Sequence, residues 1–265
     1  MITFQTSSLI SVPANSVCLY ECKLFYNIFM KKAYRILLRL TALCLIIVLG
    51  LYLARKLDLY HPDYPGSFSY EEIPDYANDP YTVVNDGIPF FTDEELNSEP
   101  FEFYSELDSL NRCGYAFALV TRDTMPVEER GEIRDVIPSG WHWDKYEFIQ
   151  YEYLYNRCHL IAYALTGENA NPKNLITGTR YLNYSGMRNF EGMIASYIYR
   201  TGNPVLYRVT PVFIGSELVA RGVLLEAQST EDEGLRFCVF CYNVQPGVII
   251  NYQTGESYAD LSQVH

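Results

Sequence analysis

The sequence predicts an α+β domain behind an N-terminal transmembrane helix. Three observations carry that expectation. Tyr184 to Arg200 places Met187, Phe190, Ile194, Tyr197 and Ile198 at helical spacing, with Gly202 as a stop. Pro204–Ile214, Leu218–Glu226 and Leu235–Tyr242 are rich in Val, Leu and Phe between Gly-containing turns, the pattern of an antiparallel sheet. Ahead of both, Leu40 to Ala54 runs without a charged residue. Strands, then a polar motif-bearing segment, then a helix, then strands again is an α+β order.

Taken from the N-terminus, residues 1–29 form an extension of no clear role, and Met30-Lys31-Lys32 reads as the natural start. Residues 30–56 read as a signal anchor. Lys31, Lys32, Arg35 and Arg39 precede the apolar run and Arg55 and Lys56 follow it, so the N-terminal side faces the cytoplasm. Counted from Ile36, with Arg39 snorkelling, the run approaches the ~20 residues that span a bilayer. The localisation this implies is a single-pass protein of the bacterial cytoplasmic membrane with its domain outside. Secretion after signal cleavage is the alternative.

Residues 57–100 carry six prolines and no persistent period, and read as an acidic, extended stalk. The compact domain is then expected over 101–265. Its first strand is expected at Tyr115–Val120, and Arg122 to Arg134 is polar and connective.

A net charge of −12 argues against a nucleic-acid partner until its distribution is examined. Leu57 to Leu110 holds fourteen acids and no Lys or Arg. From Asn156 to Arg221 seven basic residues (Arg157, Lys173, Arg180, Arg188, Arg200, Arg208, Arg221) face three acids. A solvated basic face and a phosphate-binding face both fit that asymmetry. Of the seven cysteines, Cys238 and Cys241 form a CxxC pair inside the apolar run Phe237–Cys241 with no second CxxC and no nearby His. Buried thiols of a core strand fit better than zinc or a redox pair.

Chemistry concentrates in Asn156-Arg157-Cys158-His159 and in Asn174, Asn183 and Glu191 downstream. Of the four histidines, His61 lies in the stalk and His265 ends the chain, so His159 and His142 are the candidates for a general base. Arg157 shares a strand side with His159, and a cation there lowers an imidazole pKa and keeps it neutral. Asn183 stands eight residues before Glu191, on one broad side of the expected helix. On the residues alone those two read better as an N-cap and a surface acid than as a metal site. Cys158 and His159, being strand neighbours, point to opposite faces and make a poor nucleophile–base pair.

The order Asn156-Arg157-Cys158-His159, Asn174-Leu175-Ile176-Thr177, Leu182-Asn183, Glu191 resembles the DNA/RNA non-specific endonucleases of the ββα-metal group. The likeness is to the bacterial branch that carries Asn-Arg-Cys-His and includes DNA-entry nucleases. Ser139–His142, Leu165–Asn169 and Tyr242–Gly247 resemble the same branch, and the likeness spans Asn111 to Gly255. It departs from the family's usual Asp-Arg-Gly-His at Asn156 and Cys158.

The resemblance implies a ββα-metal core and hydrolysis of DNA, with RNA as an open second substrate, to 5′-phosphate ends. It implies His159 as general base, Arg157 on the phosphate, Asn183 as ligand to Mg2+ or Mn2+, and Glu191 orienting a metal-bound water. Asn174 would support that geometry. A cell-surface module that binds nucleic acid without cutting it is the alternative.

Overall fold

The computed structural model describes residues 30–32, 34–49 and 68–260. Expectations for residues 1–29, for the end of the anchor and the start of the stalk, and for the last five residues lie outside these. The chain divides into two units, residues 1–60 and 61–265. In the first unit, residues 34–49 are helical, and Ile36, Leu37, Leu40, Leu43, Leu45, Ile46 and Leu49 are exposed. Among the described residues no helix is long and apolar enough to cross a membrane.

The second unit is built on a six-stranded antiparallel sheet. Its strands are β1 (Tyr81–Val83), β2 (Glu102–Tyr104), β3 (Ala116–Val120), β6 (Val205–Val212), β7 (Gly222–Ser229) and β8 (Arg236–Tyr242), in the order β1-β8-β7-β6-β3-β2. A separate hairpin pairs β4 (Tyr155–His159) with β5 (Leu175–Thr179), His159 opposite Leu175 and Asn156 opposite Gly178. A third pairs β9 (Val248–Ile250) with β10 (Ser257–Ala259). The short helices α1 (Asp93–Leu96) and α2 (Tyr163–Thr166) precede the main helix α3 (Arg188–Thr201), which ends at Gly202 with φ of +79°. That left-handed stop is the one a glycine makes without steric cost.

Side chains alternate across the sheet with period two. Tyr207, Val209, Val223, Leu225, Val239 and Cys241 face one core with Phe190, Ile194 and Ile198 of α3 and with Cys158 and Ile176 of the hairpin. Val212, Leu224, Cys238, Phe240 and Tyr242 face the other side, against Phe68, Tyr70, Ile73 and Phe90. Phe117, Leu119 and Leu206 continue that side against Phe91, Leu96 and Phe101. Burial on both faces explains why the β8 sequence is almost continuously apolar rather than alternating. It also separates Cys238 from Cys241, which lie in opposite cores and form neither a metal pair nor a disulfide.

Two boundaries differ from expectation. Residues 68–100 are not a stalk: β1 joins the sheet with Tyr81 opposite Cys241, and the rest of the segment covers the sheet's outer face. A sheet apolar on both sides needs that cover, whatever the proline content of the strand of chain supplying it. It is pinned by Arg208, 1% exposed, which binds Glu226 at 2.8 and 3.0 Å, Glu95 at 2.9 Å and the Phe90 carbonyl at 3.3 Å. The Glu226 carboxylate also accepts the Phe90 N–H at 2.8 Å. The third long strand starts at Gly222 rather than Leu218, because a tight turn closed by Glu217 N–H to the Ile214 carbonyl occupies the residues before it. At Gly222 a Cβ would meet the Phe240 ring at 2.3 Å, so only glycine fits that strand start.

Candidate active site

The site is assembled where the β4–β5 hairpin meets the entry to α3. Residues Leu182–Met187 form a π-helical turn that runs directly into α3. Such turns hold one extra residue and are found mostly at functional positions. Asn183 lies within it, so it is no N-cap. Glu191 lies in the first turn of α3 and is half-buried.

His159 ends β4 and is 8% exposed. Its Nε2 lies 2.7 Å from the Asn169 carbonyl oxygen and its Nδ1 lies 3.3 Å from Arg130 Nη2. A carbonyl only accepts and a guanidinium only donates, so Nε2 carries the proton and Nδ1 presents its lone pair. Burial first, and the Arg130 charge as well, push the imidazole down to about 4, so the ring is neutral at physiological pH. The expected cation beside the base exists, but it is Arg130, from the segment read as merely connective, and not Arg157. Sequence offered no signal for it, since that loop folds back from about thirty residues upstream.

The Arg157 guanidinium is taken up by the loop before β4. Its Nε donates to the Val136 carbonyl at 2.5 Å and its Nη2 to the Arg134 carbonyl at 2.7 Å. The guanidinium stacks on Trp141 at 4.3 Å and Trp143 at 5.1 Å. It thereby anchors the 134–136 stretch to β4. Asn174, 0% exposed, binds Ile161 twice: Oδ1 accepts its N–H at 2.9 Å and Nδ2 donates to its carbonyl at 3.0 Å. Both amide groups are therefore occupied in bracing the turn just after His159, a positioning role.

Glu191 Oε1 accepts the Ala162 N–H at 3.0 Å, the one partner its carboxylate has among the described residues. Burial pushes this carboxyl up to about 8. Cys158, 1% exposed, brings its thiol within 3.4 Å of Asn183 Oδ1 and 3.5 Å of Met187 Sδ. Burial raises that thiol's pKa far above normal, which removes it as a nucleophile. The residue fits because β5 carries Gly178 alongside, where a Cβ would come 2.6 Å from the Cys158 Cβ. Asn156 Nδ2 is buried without a protein partner. His142 Nε2 contacts the Thr254 carbonyl at 3.2 Å and helps join 139–142 to 251–255.

The donor set suits a hard, hydrated divalent cation. Asn183 Oδ1 accepts only a weak thiol donor, and Glu191 is an under-compensated carboxylate. Among the described residues no three His, Cys, Asp or Glu side chains cluster as a cage. A magnesium-like ion needs no cage, because it keeps several waters and takes one or two protein oxygens. Three cations of the basic segment are already paired: Arg208 with Glu226 and Glu95, Arg221 with Glu217, and Lys173 with Glu106 at 2.5 Å.

An antiparallel sheet with a buried histidine at the end of a hairpin strand, and an amide and an acid on the adjoining helix, fits a hydrolase that uses a general base. The family model for DNA/RNA non-specific endonuclease matches residues 93–231, and the chain belongs to that family. It is 30% identical over 197 residues to a deoxyribonuclease of Streptococcus dysgalactiae subsp. equisimilis; the match takes in 57% of this chain and only 59% of that relative. The fold is similar to NucA from Streptococcus agalactiae without metal, with a TM-score of 0.61 and 26% identity over 72% of this chain and 92% of that one. The magnesium-bound NucA structure gives 0.59 at 26% identity, over 69% and 91%. The Sda1 nuclease with bound zinc gives 0.52 at 30% identity, over 60% and 81%.

Proposed function

We propose that the chain is a metal-dependent endonuclease that hydrolyses DNA without sequence preference, with RNA as a second substrate, and leaves 5′-phosphate ends. The observation that carries this reading is the single-tautomer His159, whose unprotonated Nδ1, covered by Arg130, is the nitrogen a base offers. His159 takes a proton from water as the oxygen adds to phosphorus and the bond to the 3′-oxygen breaks. The Asn169 carbonyl orients the resulting imidazolium. Asn183 and the Glu191 carboxylate would hold Mg2+ or Mn2+, with Glu191 aligning bound water. When bound, the ion supplies charge neutralisation at phosphorus and at the departing oxygen.

Arg130 is assigned the phosphate contact. Its guanidinium rests on the lone pair of the base, and an arriving phosphate draws it off and uncovers Nδ1. Arg157 acts behind it by holding the 134–136 stretch. The same reading puts the domain outside the cytoplasmic membrane, tethered through the N-terminal segment. The exposed apolar side chains of residues 36–49 and the basic residues before them support this. Protease added to intact cells should then remove the domain.

The decisive experiment incubates the full chain and His159→Ala with circular plasmid, with Mg2+, Mn2+ or chelator. Metal-dependent nicking that the variant lacks is expected. Binding without nicking under every metal would instead make the chain a nucleic-acid-binding module.

A further inference from the structure

Three guanidinium groups of the basic segment have neither a carboxylate nor a backbone partner among the described residues: Arg180, which immediately follows β5, Arg188, the first residue of α3, and Arg200 near its end; only Arg180 and Arg188 share an aromatic platform. Arg180 lies 4.4 Å over the Tyr151 ring and 3.8 Å over the Tyr184 ring, and Arg188 lies 5.3 Å over Tyr184. The donors of Arg180 are almost unused: Nη2 has a weak contact of 3.4 Å with Gln150 Oε1, and Nε is buried with no partner. Stacking on aromatic faces orders a guanidinium without consuming its in-plane donors, which remain available to an anion.

The aromatic partners are displayed at a cost. Tyr151 and Glu152 hold consecutive φ values of +66° and +67°, a conformation that disfavours any residue with a Cβ. Yet Tyr151 is 70% exposed and Tyr184 is 40% exposed. Burial gives no reason for that arrangement. Tyr184 also follows Asn183 directly within the π-helical turn, so the stack adjoins the metal-binding amide.

We propose that Tyr151, Arg180, Tyr184 and Arg188 form a rail that receives one polynucleotide strand beside Asn183. The two guanidiniums take consecutive backbone phosphates and the tyrosines take base faces. The rail is indifferent to base identity, because every base offers a π-face and every nucleotide a phosphate. It also explains how a chain of net charge −12 holds a polyanion, through local cations that no acid neutralises. This inference rests on the nuclease reading for its purpose but not for its test.

The test uses the full chain carrying His159→Ala and a fluorescein-labelled 20-nucleotide single strand of DNA, followed by anisotropy across a salt series. Adding Arg180→Met and Arg188→Met should weaken binding at least tenfold at about 0.1 M salt. It should also lower the slope of log K against log salt by about 1.4, roughly 0.7 per lost phosphate contact. Tyr184→Ala should weaken binding about tenfold and Tyr184→Phe should restore it, with unchanged melting temperatures throughout. Unchanged affinity and slope in the double arginine variant would overturn the rail. Plasmid nicking by the parent with His159 intact is run in parallel. Nicking with an unchanged slope removes the rail alone; a lost slope without nicking keeps the rail and removes the nuclease reading.

Discussion

The two faces of the central sheet bury charge in opposite ways. On the outer face, Arg208, Glu226 and Glu95 satisfy one another, and the Phe90 backbone takes up the remaining capacity. On the inner side, His159 is buried and Glu191 half-buried, and among the described residues neither has a side-chain counter-ion of opposite sign; backbone groups and Arg130 are what they meet. The first arrangement is inert because nothing is left over. The second leaves one acceptor nitrogen and one proton-hungry carboxyl, which is what a reactive site requires. Completeness of pairing, more than depth of burial, separates structural charge from chemical charge here.

The sharpest way to break this contrast is to remove one charge from each side. His159→Ala should lower nicking by about 10³-fold or more, within the range for loss of a general base, while the melting temperature stays put. Glu226→Ala should do the reverse. Stranding Arg208 should destabilise the fold by about 3–5 kcal/mol in chemical denaturation, and the protein still folded should cut normally. Should Glu226→Ala prove as stable as the parent, the outer network is not the clamp described.

A pH series sharpens the inner face. His159 has its folded pKa depressed to about 4, so between that value and the ordinary 6.5 the unfolded chain binds more protons. Stability is therefore complete above about pH 6.5 and is lost as pH falls toward 4, by about 3 kcal/mol at most. His159→Gln should flatten that limb of the denaturation profile, and an unaltered limb would assign the acid sensitivity elsewhere.

The smallest effect tests the fit of Cys158 against Gly178. Gly178→Ala alone should cost about 1–3 kcal/mol through overpacking. In a Cys158→Gly background the same change should cost distinctly less, because the clashing Cβ is gone. Additive costs would mean that the two positions do not constrain each other.

Much of this was readable in the chain, and the failures are instructive. The helix ending at Gly202 and the strands around Ala116–Val120, Val205–Val212 and Arg236–Tyr242 carry period and punctuation strong enough to be found locally. The folded cover at 68–100 was missed because its affinity for the sheet resides in scattered aromatics such as Phe68, Tyr70 and Phe90, which have no period of their own. His159, Asn183 and Glu191 could be singled out as candidates because motif order survives in sequence. Arg130 was not, since its part in the site arises from a loop returning through space. Arg157 and Asn174 were identified as members of the site, but which atoms they touch is a matter of tertiary geometry that spacing does not encode.

The π-helical turn at Leu182–Met187 sets a rule of arithmetic for the helix end of the site. In an uninterrupted α-helix, residues eight apart are roughly 80° out of line, since each step turns about 100°. The wider turn unwinds part of that offset and draws Asn183 toward the line of Glu191. The helix is thus phased by one surplus residue. Rewinding the same residues as a regular α-helix would swing the carboxamide by about a quarter of a revolution relative to the acid, whereas deleting one residue between Tyr184 and Met187 would leave a regular helix with the two seven apart, only about 20° out of line. How this one turn is wound therefore sets the phase of Asn183 against Glu191 as firmly as residue identity sets their chemistry.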